Sequence, residues 1–413
     1  MTLPFFLASS VVVILYTLNV VGKRFGMRVF FVTLVSVIVT LLVGVLNYAA
    51  GPLPGADVDA IAFERIARDL AATWNLTGIY FLSFFHRYAY SNVLAVLFYV
   101  DGFNYFLIPL FNAALTTFAA YNVYLSARIL NVREKYIFVI SLLLAFNPIV
   151  ILYSAVSMRE APIYALIALF FRVLISEPKR PAVLLNPMLL TIVALLVFLH
   201  IGLAVLVLVL VAYAFDFSIS LKSIARPKNL LTVLVLFVVV DFAMSTQAIQ
   251  SIPRMAKLLD PESSSMSYES LQSAQQAKSR GEGAYTYPER IIGIPIVDSI
   301  ITAAYMTIRL ILSPFPWEIR SAGVTTLIKI IDISLQLSLH VLAISNLRRR
   351  NGRDKTVFLY TSYLLLSLVF GLNTVNDGVA LRHRTKFFWL LVLAAFSARA
   401  GTARSLSTDK SRI

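Results

Sequence analysis

Cysteine is absent from this chain, and charged side chains are scarce in it. Without a thiol, the sequence excludes a disulfide framework, a thiolate metal site and a catalytic cysteine. It also contains no P-loop, no dinucleotide-binding glycine pattern, no nucleophile elbow and no cluster of metal-ligand histidines. Charged residues make up only 14% of the 413 positions, whereas hydrophobic residues make up 59%. Such an apolar chain is suited to a bilayer, and we interpret it as a polytopic membrane protein.

The positive charge is distributed as membrane topology requires. A net charge of +15 would point to nucleic acid in a soluble protein. Here much of the basic charge lies in short segments between apolar windows, which is the pattern of cytoplasmic loops. We therefore expect no nucleic-acid partner.

About eleven windows of the sequence are apolar enough to span or enter a membrane. They lie at 3–21, 29–48, 103–125, 136–156, 162–175, 184–199, 201–217, 230–245, 323–344, 357–372 and 387–398. The first window lacks a basic n-region and a small-residue cleavage site, so we expect a retained span rather than a signal peptide. The prediction is an all-α, polytopic transmembrane helix bundle that forms one integral membrane domain over residues 1–413.

The basic segments fall at alternate junctions between these windows. One orientation places all of them in the cytoplasm, together with a basic tail at 399–413, and leaves the N-terminus outside. Residues 80–100 are apolar enough to span, but a span there would invert every later loop. We interpret them as a re-entrant or interfacial helix. Three segments then remain on the outer face and are expected to form the functional site: 49–102, 247–322 and 373–386.

Two aspartates stand out in the first outer segment. Asp57 and Asp59 follow a Pro-Leu-Pro-Gly turn, which should hold both side chains at the membrane surface. A carboxylate there is suited to deprotonate an acceptor hydroxyl or to hold a divalent cation beside a phosphate. Helix capping accounts for one aspartate equally well, but not for two. Helical spacing relates Asp59, Phe63, Ile66 and Leu70, which predicts an amphipathic helix along the interface.

Several arginines lie on the predicted outer face, although Lys and Arg are usually concentrated in cytoplasmic loops. The rigid fork of arginine suits phosphate, so outer arginines near the bilayer are natural contacts for a polyprenyl phosphate or diphosphate. The alternatives are snorkelling toward lipid headgroups and an ordinary basic cluster at the end of a span. We assign the donor phosphate to Arg87, Arg159, Arg382 and Arg384, with His383 between the last two as a hydrogen-bonding partner or proton shuttle.

Other residues have plainer interpretations. Glu64 and Arg68, spaced i,i+4, are expected to form a surface pair. His200 and His340 are expected to be hydrogen-bonded packing residues, and Lys386 is expected at the solvated edge of the last outer segment. The segment 313–318 holds two prolines and an aromatic pair, which predict a structural corner or, alternatively, part of a groove for a sugar or prenyl group.

The order of these motifs resembles that of a known family. It runs from the acidic first outer loop through a helix between Tyr88 and Gly102, Asn112, a corner from Pro148 to Arg159-Glu160, Pro314-Phe315-Pro316-Trp317, and Asn376-Asp377-Gly378 to Arg382-His383-Arg384. This order is similar to that of bacterial exopolysaccharide-cluster membrane proteins, which look like GT-C-type glycosyltransferases and O-antigen-polymerase-like enzymes. The extra N-terminal window departs from the usual glycosyltransferase start, where the catalytic loop follows the first helix.

The resemblance implies transfer of a sugar or oligosaccharide from an undecaprenyl-linked donor to a glycan acceptor. It places the reaction on the periplasmic face of the bacterial inner membrane, with the first-loop aspartate as base and the arginines on the lipid phosphate. Asp59 followed by Phe63 fits the family's spacing of an acidic and an aromatic residue, and Asp57 is the competing choice. Residues expected along the acceptor groove are Tyr88, Glu160, Trp317 and Asn376.

Two other functions use the same anion-binding residues. A flippase for lipid-linked oligosaccharides would need charged residues inside its spans, where only Asp241, Lys329 and Asp332 stand out. A non-catalytic subunit of polysaccharide export machinery would use the outer loops as partner surfaces. The concentration of functional groups on one face favours an enzyme.

Overall fold

The computed structural model describes residues 4–53, 57–82, 88–216, 295–318, 324–347, 353–372, 374 and 376–397. Within these ranges the chain is helical and has no β-strand, so the all-α prediction is confirmed there. The predicted window at 230–245, the outer residues 247–294 and the basic tail at 399–413 lie outside the described residues.

The described residues form fifteen α-helices. They are α1 (Phe5–Phe25), α2 (Met27–Ala49), α3 (Asp57–Thr77), α4 (Tyr90–Asp101), α5 (Leu107–Ile129), α6 (Glu134–Ala145), α7 (Pro148–Ser154), α8 (Glu160–Ser176), α9 (Pro187–Leu199), α10 (Val205–Ala214), α11 (Pro295–Leu312), α12 (Val324–Leu347), α13 (Arg353–Leu372), α14 (Asp377–Thr385) and α15 (Phe388–Ser397). Short 3-10 helices occupy Pro181–Leu185, Ile201–Ala204 and Pro316–Glu318.

Four of these helices are long and apolar enough to cross a membrane, and they are α1, α2, α12 and α13. Helices α6 and α7 meet the same criteria together, but they bend by 55° at the break between them. The described chain therefore has several apolar helices compatible with a multi-pass membrane protein. The finer prediction of about eleven spans is not established by these helices.

Helix α5 shows why length alone does not decide the number of spans. It has 23 residues, yet its sequence is interrupted by polar side chains such as Asn112, Thr117, Asn122 and Ser126. All four are buried in the bundle, where α5 packs against α1, α2 and α8. Polar residues that face other helices lower the mean hydropathy of a segment without exposing any polar group to lipid.

The amphipathic helix predicted in the first outer segment is present as α3. Its buried residues include Ala60, Phe63, Ala67, Leu70 and Trp74, which recur every three or four positions, and the helix packs against α4. Residues on the opposite side of α3 are exposed. Burial on one stripe is what the 3.6-residue period of the sequence predicts.

The bundle contains two groups of described helices, α1 to α10 and α11 to α15. Helix α15 is buried along its whole length and contacts α5, α6, α12 and α13. Helix α11, in a segment predicted to be an outer loop, packs against α13 and α14. The short helix α14 lies among α7, α8, α11 and α13, so its side chains reach both groups of helices.

Candidate functional site

Charged side chains from α3, α8 and α14 meet at one place in the bundle. Arg382 of α14 forms an ion pair with Asp59 of α3, and its Nε lies 3.6 Å from Oε1 of Glu160. Lys386, which follows α14, places its Nζ 3.3 Å from the same oxygen of Glu160. We call Asp59, Glu160, Arg382 and Lys386 the charge cluster.

Helical spacing explains how two cations reach one carboxylate. Arg382 and Lys386 are four residues apart, so they lie on the same face of the turn that ends α14. Asn376 caps the N-terminus of α14, and its side chain accepts a hydrogen bond of 2.9 Å from the backbone N–H of Val379. Asparagine in this position satisfies a first-turn donor and fixes where the helix starts.

The connection between α7 and α8 positions Glu160. The amide of Asn112 in α5 donates a hydrogen bond of 2.8 Å to the carbonyl of Val156. The guanidinium of Arg159 donates one of 3.0 Å to the carbonyl of Leu199 at the end of α9. Glu160 is the first residue of α8, where a carboxylate is stabilised by the positive end of the helix dipole.

The charge cluster is open at one end and closed at the other. The side chain of Asp59 is 25% exposed and that of Arg382 is 14% exposed. By contrast, the side chain of Glu160 is 2% exposed and that of Lys386 is 0% exposed. A ligand that approaches from solvent therefore meets Asp59 and Arg382 first, with Glu160 and Lys386 behind them.

Lys386 is buried, so the prediction that it lies at the solvated edge is wrong. Burial lowers the pKa of Lys386 to about 7, although the nearby Glu160 carboxylate opposes this shift. A lysine with a pKa near neutrality can gain or lose a proton at physiological pH. Lys386 lies between α14 and α15, outside the apolar helices.

Two histidines lie beside the closed end of the cluster. The Nδ1 atom of His383 is 2.8 Å from Nζ of Lys386, and its ring centroid is 5.7 Å from that of His200. Burial and then the charge of Lys386 lower the pKa of His383 well below its usual value. A neutral His383 ring can accept a hydrogen bond from the ammonium of Lys386. The position of His200 beside His383 was missed, because no spacing links residues on separate helices.

Arg384 lies on the other face of α14. Its guanidinium donates hydrogen bonds to the carbonyls of Ile311 (2.7 Å) and Ser313 (3.0 Å) and lies 3.0 Å from the carboxylate of Asp332. Ile311 lies in α11, Ser313 is the residue that follows α11, and Asp332 lies in α12. The structure thus separates Arg384 from Arg382, whereas the sequence predicts both arginines on the donor phosphate.

The remaining predicted site residues have varied positions. Tyr88 packs edge-to-face on Phe63, at 5.4 Å between ring centroids. Trp317 is 78% exposed and stacks on Phe315 in the predicted corner, at 4.8 Å between centroids. Asp57 is the first residue of α3, but its side chain lies outside the described part of the structure, as does Arg87.

Glu64 has more partners than a surface pair requires. It forms the predicted i,i+4 ion pair with Arg68. Its Oε2 atom also accepts hydrogen bonds from the hydroxyls of Tyr48 (2.9 Å) and Ser157 (2.7 Å). Glu64 therefore joins α2, α3 and the connection before α8, and this connection leads directly to Arg159 and Glu160.

The described residues include no group of three or more His, Asp or Glu side chains arranged to hold a metal ion. No family model, curated protein or solved structure compared with this chain matches it. The class that the fold supports is a helical protein with apolar helices of membrane-spanning length. Its described residues bring cations and carboxylates together where α3, α8 and α14 meet.

Proposed function

We propose that this chain is a membrane glycosyltransferase or polysaccharide polymerase that uses a polyprenyl phosphate or diphosphate sugar as donor. The reaction takes place on the outer face of the bacterial inner membrane, and the acceptor is a glycan. The observation that carries the proposal is the charge cluster, which is open at Asp59 and Arg382 and closed at Glu160 and Lys386. An acid–base group and an anion-binding group are thus adjacent at the accessible end of one site.

Arg382 is the accessible cation of the charge cluster, and it can bind an anionic ligand. Arg382 and Lys386, with Arg159 next to Glu160 in sequence, supply positive charge against the carboxylates of Asp59 and Glu160. A phosphate competes with Asp59 for the guanidinium of Arg382, and the fork of arginine can bind two phosphate oxygens at once. Glu160 remains beside Arg382 from the buried side and keeps the guanidinium in place.

Asp59 is then available as the general base. Its carboxylate takes the proton from an acceptor hydroxyl, and the oxygen of that hydroxyl forms a bond to the anomeric carbon of the donor sugar. The bond between the anomeric carbon and the phosphate oxygen breaks in the same step. The charge that develops on the departing phosphate is stabilised by Arg382 and Arg159.

A transporter receives less support from the described residues. Lys329 and Asp332 of α12 are the charged residues that would serve a path through the bundle. Lys329 lies 3.5 Å from Asp377, and Asp332 lies 3.0 Å from Arg384. Because both charges are paired with α14, we interpret them as contacts that hold α14 against α12.

Turnover of a synthetic polyprenyl-diphosphate sugar by purified protein in lipid nanodiscs tests the proposal. General-base catalysis contributes about 10²–10⁴-fold, so Asp59→Asn should lower transfer by at least about 10²-fold while donor binding persists. Arg382→Ala should lower donor affinity. Asp69→Asn, on the exposed side of the same helix, is the matched control and should change neither quantity. Normal transfer by Asp59→Asn, or equal donor affinity in Arg382→Ala and the unaltered protein, would refute the proposal.

A further inference from the structure

A pocket lies along α3, on the far side of Glu64 from the charge cluster. It has a volume of about 300 Å³, which is at the lower end of the range for small-molecule sites. One wall is a stripe of α3 formed by Arg68, Ala71, Ala72 and Asn75. The facing wall is aromatic and comes from the end of α4 and the residues after it: Phe98, Tyr99 and Phe103.

The two alanines explain why there is space at this position. Arg68, Ala71, Ala72 and Asn75 recur at the three- and four-residue spacing of one helix face. Methyl side chains at the centre of this stripe leave a depression, while Arg68 and Asn75 place polar groups at its two ends. The result is a cavity with a small apolar floor and hydrogen-bonding groups at both ends.

The aromatic wall is held rigidly. The ring of Phe103 packs edge-to-face against Phe98, with 5.5 Å between centroids, and against Tyr105, with 5.3 Å. The ring of Tyr99 packs against Trp74 at 5.7 Å. The indole N–H of Trp74 donates a hydrogen bond of 2.7 Å to the carbonyl of Tyr80. Rings fixed in this way lose little freedom when a ligand binds to their exposed faces.

The charge of the lining residues favours a neutral ligand over an anionic one. Arg68 supplies the positive charge among the lining residues, and Glu64 neutralises it through an ion pair. The guanidinium carbon of Arg68 also lies 3.4 Å from the ring centroid of Phe103, so the group is stacked as well as paired. A phosphate or an anionic lipid headgroup needs unbalanced positive charge. A neutral polyhydroxyl ring needs an aromatic face and hydrogen-bonding groups at its edge, which Tyr99 and Asn75 provide.

We infer that this pocket binds a neutral saccharide unit of the glycan acceptor. That it belongs to the acceptor rests on the proposed function, whereas saccharide binding does not. Arg68 is nine residues after Asp59, which corresponds to roughly 13 Å along α3 at the rise of an α-helix. The pocket therefore holds a sugar at a distance from the reacting hydroxyl and sets which part of a longer acceptor lies at Asp59.

The fluorescence of Trp74 provides a direct test, because its ring contacts Tyr99 in the wall of the pocket. The protein is placed in phosphatidylcholine nanodiscs, since glucoside and maltoside detergents carry sugar headgroups that would compete. Glucose, galactose, N-acetylglucosamine and rhamnose are titrated in turn, with glycerol 3-phosphate as the phosphate probe. The chain has three tryptophans, so subtraction of the response of Trp74→Phe isolates the signal from this site.

We expect at least one of the saccharides to change the emission of Trp74 saturably, and glycerol 3-phosphate to have no effect. Ala72→Leu fills the pocket from an exposed position and should raise the apparent Kd by about tenfold or more. Thr73→Leu, the next residue of α3, does not line the pocket and should bind as the unaltered protein does. A response to glycerol 3-phosphate alone, no response to any of the sugars, or equal binding by the two leucine variants would overturn the inference.

This assay needs neither donor nor transfer, so its failure is distinguishable from failure of the proposed function. Normal sugar binding with unchanged transfer by Asp59→Asn would remove the proposed catalytic role and keep the pocket. Loss of transfer in Asp59→Asn, together with no sugar binding by the unaltered protein, would keep the catalytic role and remove the saccharide site.

Discussion

Glu160 and Lys386 form an ion pair, with 3.3 Å between Oε1 and Nζ, at a position where neither side chain reaches solvent. A buried charge without its partner is strongly destabilising, whereas a buried pair contributes little net stability. The pair is therefore weak evidence that this region is held together by charge. Its presence at the closed end of the charge cluster is better explained by the placement of Arg382, which contacts the same oxygen of Glu160.

The first prediction concerns the two carboxylates of the cluster. Glu160→Gln leaves Lys386 and Arg382 without their common buried partner and should lower the free energy of unfolding by about 3 kcal/mol. Asp59→Asn should lower the free energy of unfolding by about 1 kcal/mol or less, because Asp59 is partly exposed and Arg382 retains its contact with Glu160. Unfolding by sodium dodecyl sulfate in mixed micelles at pH 6, where Lys386 is charged, measures both.

The double variant Glu160→Gln, Lys386→Met supplies the control for this prediction. Removing both charges should recover at least half of the stability lost in Glu160→Gln, because no uncompensated ammonium remains. Equal losses in Glu160→Gln and Asp59→Asn, or additive losses in the double variant, would show that the pair is not coupled.

The second prediction follows from the lowered pKa of Lys386, which is about 7 against an ordinary value of 10.5. Above pH 7 the folded protein releases this proton, while the unfolded chain keeps it until much higher pH. The unfolded state then binds more protons, so the free energy of unfolding should rise with pH. The contribution of this residue is at most about 1.4 kcal/mol per pH unit.

Lys386→Met removes that contribution. Between pH 7 and pH 9, its free energy of unfolding should rise less steeply than that of the unaltered protein. Lys179→Met, which alters a partly exposed lysine paired with Asp216, should keep the steeper slope. Parallel curves for Lys386→Met and the unaltered protein would mean that Lys386 does not titrate in this range.

Local patterns in the sequence predict the helices well, and the reason is physical. The amphipathic period of α3 and the apolar window at 323–344, which corresponds to α12, each depend on residues close together in the chain. The apolar window at 136–156 contains Asn147 followed by Pro148. In the structure Asn147 caps α7 and Pro148 is its first residue, so the break has a recognisable local signal.

The charge cluster is harder to predict because its partners come from distant segments. Glu160 was expected near the acceptor, but nothing in the sequence pairs it with Lys386. The separation of Arg382 from Arg384 did have a signal. Residues two apart in an α-helix point about 200° away from each other, so a helical interpretation of 373–386 would have placed these arginines on opposite faces.

The third prediction separates these two arginines by experiment. Arg384→Lys cannot reproduce the bonds to the carbonyls of Ile311 and Ser313 together with the contact to Asp332, and it should lose about 2 kcal/mol of unfolding free energy. Its donor affinity should be unchanged once the folded fraction is taken into account. Arg382→Lys should show the opposite, with weaker donor binding and a smaller loss of stability.

Donor binding to nanodisc-embedded protein and unfolding in mixed micelles, measured on both lysine variants, check the third prediction. The two variants serve as controls for each other, because each keeps the charge and loses the guanidinium fork. Weaker donor binding by Arg384→Lys at full stability would return Arg384 to the phosphate site.

The fourth prediction concerns the orientation of the chain in the membrane, on which the outer-face site depends. Basic loops are retained in the cytoplasm, so the loops that contain clustered Lys and Arg should lie inside and the longer segments between them outside. Alkaline phosphatase is active outside the cytoplasm and green fluorescent protein inside it, and fusions of both at the same positions give opposite signals. We expect outside signals after Asp69, Gln272 and Asp377, and inside signals after Arg133, Lys228 and Arg350.

The position after Asp377 is the most informative of these six. Asp377 begins α14, which carries Arg382 and Arg384, and these arginines form a basic group that the charge rule alone would place inside. Their partners Asp59, Glu160 and Asp332 offset that charge within the folded protein, so the group need not act as a cytoplasmic anchor. An inside signal after Asp377 combined with an outside signal after Asp69 would place α3 and α14 on opposite sides of the membrane. That result would be incompatible with the ion pair between Asp59 and Arg382 and with every role assigned to the charge cluster.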